Sequence, residues 1–518
     1  MPKALPLILA AIAACSATPK PAPAPAAGAP VAAVLPDTPQ GADARRDAEL
    51  TTQALRIIEA YANHSAVLSP DGKRIAFVST RDGLNQIYLA DPARPDAPAT
   101  RLVDSPERCV QPSFTLDGKA VLYVSDHGVD ENFSIFRVDV DSRKVTELTP
   151  GEKRRRSGAF VPLDAGGDMF FSGATAEDHQ VPIYRASTAA AGAPRLLYTD
   201  PGPGGLSDVS RDGKRALVVR ASSLSDAQLV AVDLTNGSAK KIYPAEGRHA
   251  NVFEAVFSAD GKRVLVSTDE GGETAALLAL DPATGAEQAR YVEMHPRTAQ
   301  LSSVKVSPAG DFVGVLVDAG NHNELRIVDA RTLQAKGTPD LPLGAGGPGP
   351  FSRDGRTFTV TWSSPDSPTD VLGVDAATGR VAPLRREERA TLAGLGKLDT
   401  SITEVGSFDG TKVPVNLYLP GAMRGRKLPA IVLVHGGPAA ASTVSFNPWA
   451  RFFTGQGYVV VEPNVRGSTG FGRAYERGDN LDKRMDAVKD VEAVGRWATQ
   501  QAWSDGRVIL MGGSYGGY

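Results

Sequence analysis

Ser258-Ala-Asp-Gly-Lys-Arg-Val-Leu-Val-Ser-Thr268 joins a Ser-x-Asp-Gly-Lys-Arg turn to a run of apolar, β-forming residues, and the pattern returns along the chain. Its other copies start at Ser69 (SPDGKR), Thr115 (TLDGK), Pro162 (PLDAGGD), Ser210 (SRDGKR), Ser307 (SPAGD) and Ser352 (SRDGR), giving seven units. Asp-Gly suits a hairpin because both positions tolerate positive φ. Each turn opens a unit, and in six of the seven a second strand ends at an aspartate: Asp91, Asp139, Asp233, Asp281, Asp329 and Asp375. These lie 48, 94, 48, 48 and 46 residues apart, the 94 being two periods with Ser187 at its middle. Short strands at this period suit four-stranded blades closed radially, which leaves few free sheet edges. Residues 64–390 are therefore expected to form a seven-bladed β-propeller. The turns lack the clustered carboxylates of a calcium loop and are read as turn chemistry, with no metal and no cofactor implied.

Beyond the repeats the pattern changes. Ala430-Ile-Val-Leu-Val434, Gly457-Tyr-Val-Val-Val461 and Arg507-Val-Ile-Leu-Met511 are continuous apolar runs, the mark of strands buried on both faces. A helix is expected over Val488–Gln500. Strands alternating with helices indicate a parallel sheet with flanking helices, so residues 391–518 read as an α/β domain.

Each of these runs delivers a glycine-rich loop: His435-Gly-Gly-Pro438, Arg466-Gly-Ser-Thr-Gly-Phe-Gly472 and Gly512-Gly-Ser-Tyr-Gly-Gly517. The last has the Gly-x-Ser-x-Gly spacing of a nucleophile elbow, a strained strand-to-helix turn that presents the serine hydroxyl above the sheet. Ser514 is the candidate nucleophile. Backbone N–H groups of Tyr515, the residue after it, and Gly437, in the HGG loop, are the candidate oxyanion donors. His435 sits inside the oxyanion loop and is read as structural, and Arg466 as an organiser of its own loop.

With these three loops the chain resembles the prolyl oligopeptidase family, in its acylaminoacyl-peptidase-like branch, over roughly residues 65–518. The resemblance implies a propeller joined to a C-terminal α/β-hydrolase domain. It also implies a serine peptidase that cuts short peptides through an acyl-enzyme, with the propeller gating access. In that fold the acid and the histidine follow the nucleophile. Neither follows Ser514 within these 518 residues, so the α/β-hydrolase domain is expected to be its N-terminal part only. As a C-terminally truncated fragment the polypeptide is expected to be inactive and to carry an unpaired sheet edge. Two other readings remain open: an esterase on the same fold, and a non-catalytic propeller that binds a partner.

The start of the chain is different again. Lys3 precedes the apolar run Ala4–Ala14, which ends in Ile-Ala-Ala before Cys15, and this resembles a bacterial lipoprotein signal. Residues 1–14 are the expected signal peptide, Cys15 the lipidated residue, and 15–40 an Ala/Pro-rich tether. Ser16 after the cysteine favours the outer membrane, facing the periplasm; the alternative is an ordinary signal and secretion to the periplasm. A helix is expected within 41–63, over Asp43–Ala62, with Ala48, Leu55, Ile58 and Ala62 near one face. Cys109, the only other cysteine, has no activating motif and reads as a passive thiol. A net charge of −3 gives no general positive field for nucleic acid, leaving short peptides as the expected partners. The run Lys153–Arg156 reads as a solvated loop.

Overall fold

Residues 69–74 show why the turn signature recurs. The Ser69 hydroxyl donates to Asp71 Oδ1 (2.6 Å) and accepts the Arg74 N–H (2.9 Å), while Asp71 Oδ1 accepts the Lys73 N–H (3.1 Å). The same bonds recur at 210–215, 258–263 and 352–357. Only the glycine is left-handed, Gly72 at φ 69° and Gly261 at φ 66°. The aspartate is therefore needed for its carboxylate, not for tolerance of positive φ. The second signature works alike: Asp281 Oδ1 accepts the N–H groups of Ala283 and Thr284 and the Thr284 hydroxyl, ending its strand in a closed turn.

The computed structural model describes residues 41–151, 155–156, 158–174, 180–223, 226–270, 272–273, 275–295 and 298–518. The expected signal peptide, Cys15 and the tether lie outside them. Seven four-stranded antiparallel sheets follow one another as blades, at 63–101, 109–147, 155–200, 204–243, 252–292, 300–337 and 345–383. Each turn signature links the first and second strands of its blade, so a blade begins one strand before the turn that seemed to open it. Arg155–Arg156, expected in a loop, is a short strand paired with Gly173 and Ala174.

Neighbouring blades pack face to face. Leu217 and Leu229 of the fourth meet Val252, Val264 and Val266 of the fifth, and Leu265 and Leu277 of the fifth meet Val304, Val315 and Val328 of the sixth. Each such side chain contributes roughly 1.5–3 kcal/mol on burial. The ring closes without a shared strand. Asn63 Nδ2 donates to Asp370 (3.0 Å), Thr359 Oγ1 to the Ala66 carbonyl (2.9 Å), and Arg81 pairs with Glu387 (2.7 Å).

Helix α1, Gly41–Ile58, stops earlier than expected. Its buried residue is Ile57, whereas Leu55 and Ile58 are exposed. The helix is oriented by its docking: Arg56 donates to the carbonyls of Thr391 and Ala393, in the connection between the two domains. Cys109 is buried, and burial pushes its thiol up to about 11, which suits a passive role.

Five strands form the C-terminal sheet: β1 (Leu398–Gly406), β2 (Lys412–Pro420), β3 (Leu428–Val434), β4 (Val459–Pro463) and β5 (Ser504–Gly512), in the order β1-β2-β4-β3-β5. Pairing is parallel only among β4, β3 and β5. The β1–β2 hairpin and the β2–β4 pair are antiparallel, so the sheet is mixed where a parallel one was expected. Short connections join β1 to β2, whereas parallel strands need crossovers. Those crossovers carry α2 (Pro448–Gly455), α3 (Arg473–Glu476) and α4 (Arg484–Thr499). Strand β5 lies at the sheet edge with Ile509 and Leu510 exposed.

Candidate active site

Strand β5 runs beside β3, pairing Val434 with Gly512, and the chain then turns sharply. Ser514 sits at φ 55°, a left-handed conformation that a side-chain-bearing residue adopts only under constraint. The surrounding glycines show the constraint. A Cβ on Gly512 would lie 2.1 Å from the Gly516 carbonyl oxygen, and one on Gly516 would lie 2.3 Å from that of Val434. Gly513 has open space around it. The two glycines flanking the serine at −2 and +2 are thus sterically required, and the intervening one is not.

The HGGP loop leaves β3 directly over this turn. A Cβ on Gly436 would stand 3.2 Å from Ser514 Cβ and 3.6 Å from its Oγ. Gly437 follows at φ 143°. Among the described residues the Ser514 hydroxyl has no hydrogen-bond partner. His435 ties its own loop to the one after β4, with Nδ1 donating to the Gly436 carbonyl (2.8 Å) and Nε2 bonded to Ser468 Oγ (2.9 Å). Both ring nitrogens are engaged, as a structural reading requires.

Arg466 has a comparable role. Its guanidinium forks onto Asp490 (2.8 Å to each carboxylate oxygen) and reaches Asp409 (2.9 and 3.1 Å), joining the loop after β4 to α4 and to the β1–β2 turn. Asp490 is fully buried, and Arg466 holds the Asp409 carboxyl well below its usual range.

Besides Asp490, two carboxylates escaped the sequence reading. Asp479, in the loop between α3 and α4, accepts the Tyr515 hydroxyl at 2.8 Å. Burial and this contact push the Tyr515 phenol up to about 12. Gly467 belongs to the same arrangement, since a Cβ there would meet the Asp479 carboxyl at 2.6 Å. Glu462, on β4, is buried and accepts from Asn447 Nδ2 (2.5 Å) and the Tyr418 hydroxyl (3.1 Å); burial pushes its carboxyl up to about 7. An acidic residue inside an apolar strand was the available signal for Glu462. Asp479 lies in a charged loop with nothing local to mark it.

The propeller grips the same loops. Arg473 pairs with Asp269 (2.6 Å), the Ala474 N–H donates to Glu273 (2.8 Å), and Phe471 packs on Gly320. The segment after HGGP is held as well, with the Val444 N–H on the Asn321 carbonyl (2.7 Å) and the Phe446 N–H on Ser363 (3.0 Å). One end of the propeller thus rests on the loops that form the elbow's surroundings.

A propeller seated on an α/β sheet whose strained serine lies beneath a glycine loop defines a serine hydrolase of two-domain design. The profile of the prolyl oligopeptidase family matches residues 444–518. Dipeptidyl aminopeptidase BIII of Pseudoxanthomonas mexicana is 27% identical over 513 residues, spanning 94% of this chain and 72% of that protein. Dipeptidyl-peptidase 5 of Porphyromonas endodontalis is 28% identical over 176 residues, but only a quarter (25%) of its length is spanned. Among solved structures, a puromycin hydrolase superposes with a TM-score of 0.72 at 20% identity, covering 90% of this chain and 76% of that one. Prolyl oligopeptidase B from Galerina marginata gives 0.69 at 16%, covering 91% and 72%. Residues 444–518 thus match the prolyl oligopeptidase family, and the chain as a whole is similar to peptidases of this two-domain design.

Proposed function

We propose that this protein is a serine peptidase that hydrolyses short peptides, with Ser514 as nucleophile and the propeller restricting entry. The observation that carries the reading is Ser514 itself, held left-handed at the end of β5 beneath Gly436. Its hydroxyl oxygen attacks the peptide carbonyl, a histidine takes the proton and returns it to the departing amine, and water releases the acyl group. The N–H groups of Tyr515 and Gly437 stabilise the developing oxyanion. In this fold the histidine and its acid follow the nucleophile in chain order. Anchoring through Cys15 to the outer membrane, facing the periplasm, completes the proposal and rests on the N-terminal sequence.

A relative spanning 94% of this chain is named a dipeptidyl aminopeptidase, which makes dipeptidyl amides the first substrates to try. The test compares the full-length protein with its Ser514→Ala variant on dipeptidyl amides, simple esters and a folded protein. Short-peptide hydrolysis lost in the variant, with the folded protein left intact, supports the reading. Ester hydrolysis without amide hydrolysis would make it an esterase, and unchanged amide hydrolysis in Ser514→Ala would remove the nucleophile.

A further inference from the structure

At the end of the propeller away from the C-terminal sheet, the fourth, fifth and sixth blades border an open cleft of about 850 Å³. Arg215, Lys262, Arg263 and Arg331 line it, with Asp260 and Asp281 as its only carboxylates. Both aspartates are occupied by their own turns, Asp260 with Ser258 Oγ (2.7 Å) and the Lys262 N–H (3.1 Å), Asp281 with Ala283 and Thr284. Among the described residues none of the four cations forms an ion pair. Elsewhere in the propeller arginines are commonly matched, as in Arg108–Asp126 (2.6 Å), Arg220–Asp200 (2.8 Å) and Arg326–Glu293 (3.1 Å).

Two of the cleft guanidiniums are fixed in place by carbonyls instead. Arg215 Nη2 donates to the Gly261 carbonyl (2.8 Å), and Arg263 donates to those of Arg331 (2.7 Å) and Ala330 (2.6 Å). A carbonyl orients a guanidinium without cancelling its charge, so these groups are pre-organised, with Asp212 near Arg215 and Asp260 near Arg263 offsetting them only in part. The repeat supplies an internal control. At the seam of the first and second blades, Arg74 of the first turn faces Asp141, two residues past the strand-ending Asp139 (3.7 Å). At the seam of the fifth and sixth, Arg263 is the counterpart of Arg74, and the position two past Asp329 holds Arg331. That position is otherwise Ala93, Ala189, Thr235, Ala283 or Ala377, so Arg331 is the one cation the repeat places there, and it forms with Arg263 a cluster of like charge that an anion would relieve.

We infer that this cleft is a binding site for a multiply charged phosphate-type anion, separate from the peptidase site and independent of that reading. Planar guanidinium forks suit phosphate oxygens, and Lys262 and Arg331, whose side chains make no hydrogen bond among the described residues, are free to close on it. The test is calorimetric titration of the full-length protein with inorganic pyrophosphate. Saturable one-to-one binding is expected, weakened at least about tenfold in the double variant Lys262→Gln/Arg331→Gln, which removes two charged hydrogen-bond donors. Lys73→Gln, in the corresponding turn of the first blade, should bind as the parent does. Sedimentation with phosphatidylglycerol vesicles separates the sources: capture lost in the double variant places the phosphate on a lipid headgroup, and pyrophosphate binding without capture places it on a soluble ligand. No saturable binding of either probe, or binding that survives the double variant, would overturn the assignment.

Discussion

The carboxylate of Asp479 and the hydroxyl of Tyr515 meet at 2.8 Å, one residue beyond the nucleophile and on the loop that the propeller grips through Arg473 and Ala474. The contact fixes the ring of the residue whose backbone N–H is the proposed oxyanion donor. Asp479 is itself buried, so its anchor is insulated from water.

Removing that anchor should impair turnover more than binding. Asp479→Asn and Tyr515→Phe in the full-length protein are each expected to lower kcat by roughly tenfold, the equivalent of part of a charged hydrogen bond, with KM little changed. Steady-state kinetics on a short peptide amide checks this. A rise in KM at constant kcat would show that Asp479 serves substrate binding instead.

The elbow glycines predict an asymmetric response. Gly516→Ala drives a Cβ to 2.3 Å from the Val434 carbonyl and should cost about 2 kcal/mol or more, whereas Gly513→Ala meets nothing and should stay within about 0.5 kcal/mol. Thermal unfolding midpoints of the two variants distinguish them.

Arg466 and Asp490 form a buried pair, and truncating one partner leaves the other charge unmatched. Asp490→Ala is expected to destabilise by about 3–5 kcal/mol, measured by denaturant titration. Asp409→Ala, on the exposed side of the same guanidinium, should cost far less.

Glu462 gives the domain a pH dependence of defined sign. Its folded pKa of about 7 lies above the usual value of 4.5, so the folded state holds the proton more tightly than the unfolded one. The associated stability is fully present below about pH 4.5 and is lost as pH rises through about 7, a change of about 3 kcal/mol. Unfolding free energies measured from pH 5 to 8 should fall more steeply for the parent than for Glu462→Gln. Parallel profiles would contradict the assignment.

The blades could be read from sequence because one turn, built from a hydroxyl, a carboxylate and a glycine within six residues, is local chemistry repeated at a fixed period. Ser69, Asp71 and Gly72 carry that signal without help from the rest of the fold. The elbow was legible for the same reason, Gly512, Ser514 and Gly516 being adjacent. Asp479 and Asp490 were not, because their partners Tyr515 and Arg466 lie 36 and 24 residues away and are brought close only by the sheet and its crossovers. Which side of α1 is buried was not legible, because docking onto residues 391–393, and not the helix's own periodicity, decides it. The antiparallel β1–β2 hairpin was missed where alternation of strand and helix was extended to a part of the domain that has no crossover.

The most direct test of the central claim is to treat the full-length protein with a fluorophosphonate probe and map the modified residue by peptide mass spectrometry. A single adduct on Ser514, absent from Ser514→Ala, is the result expected of an activated nucleophile in this elbow. An adduct on another serine, or labelling that persists in Ser514→Ala, would contradict it.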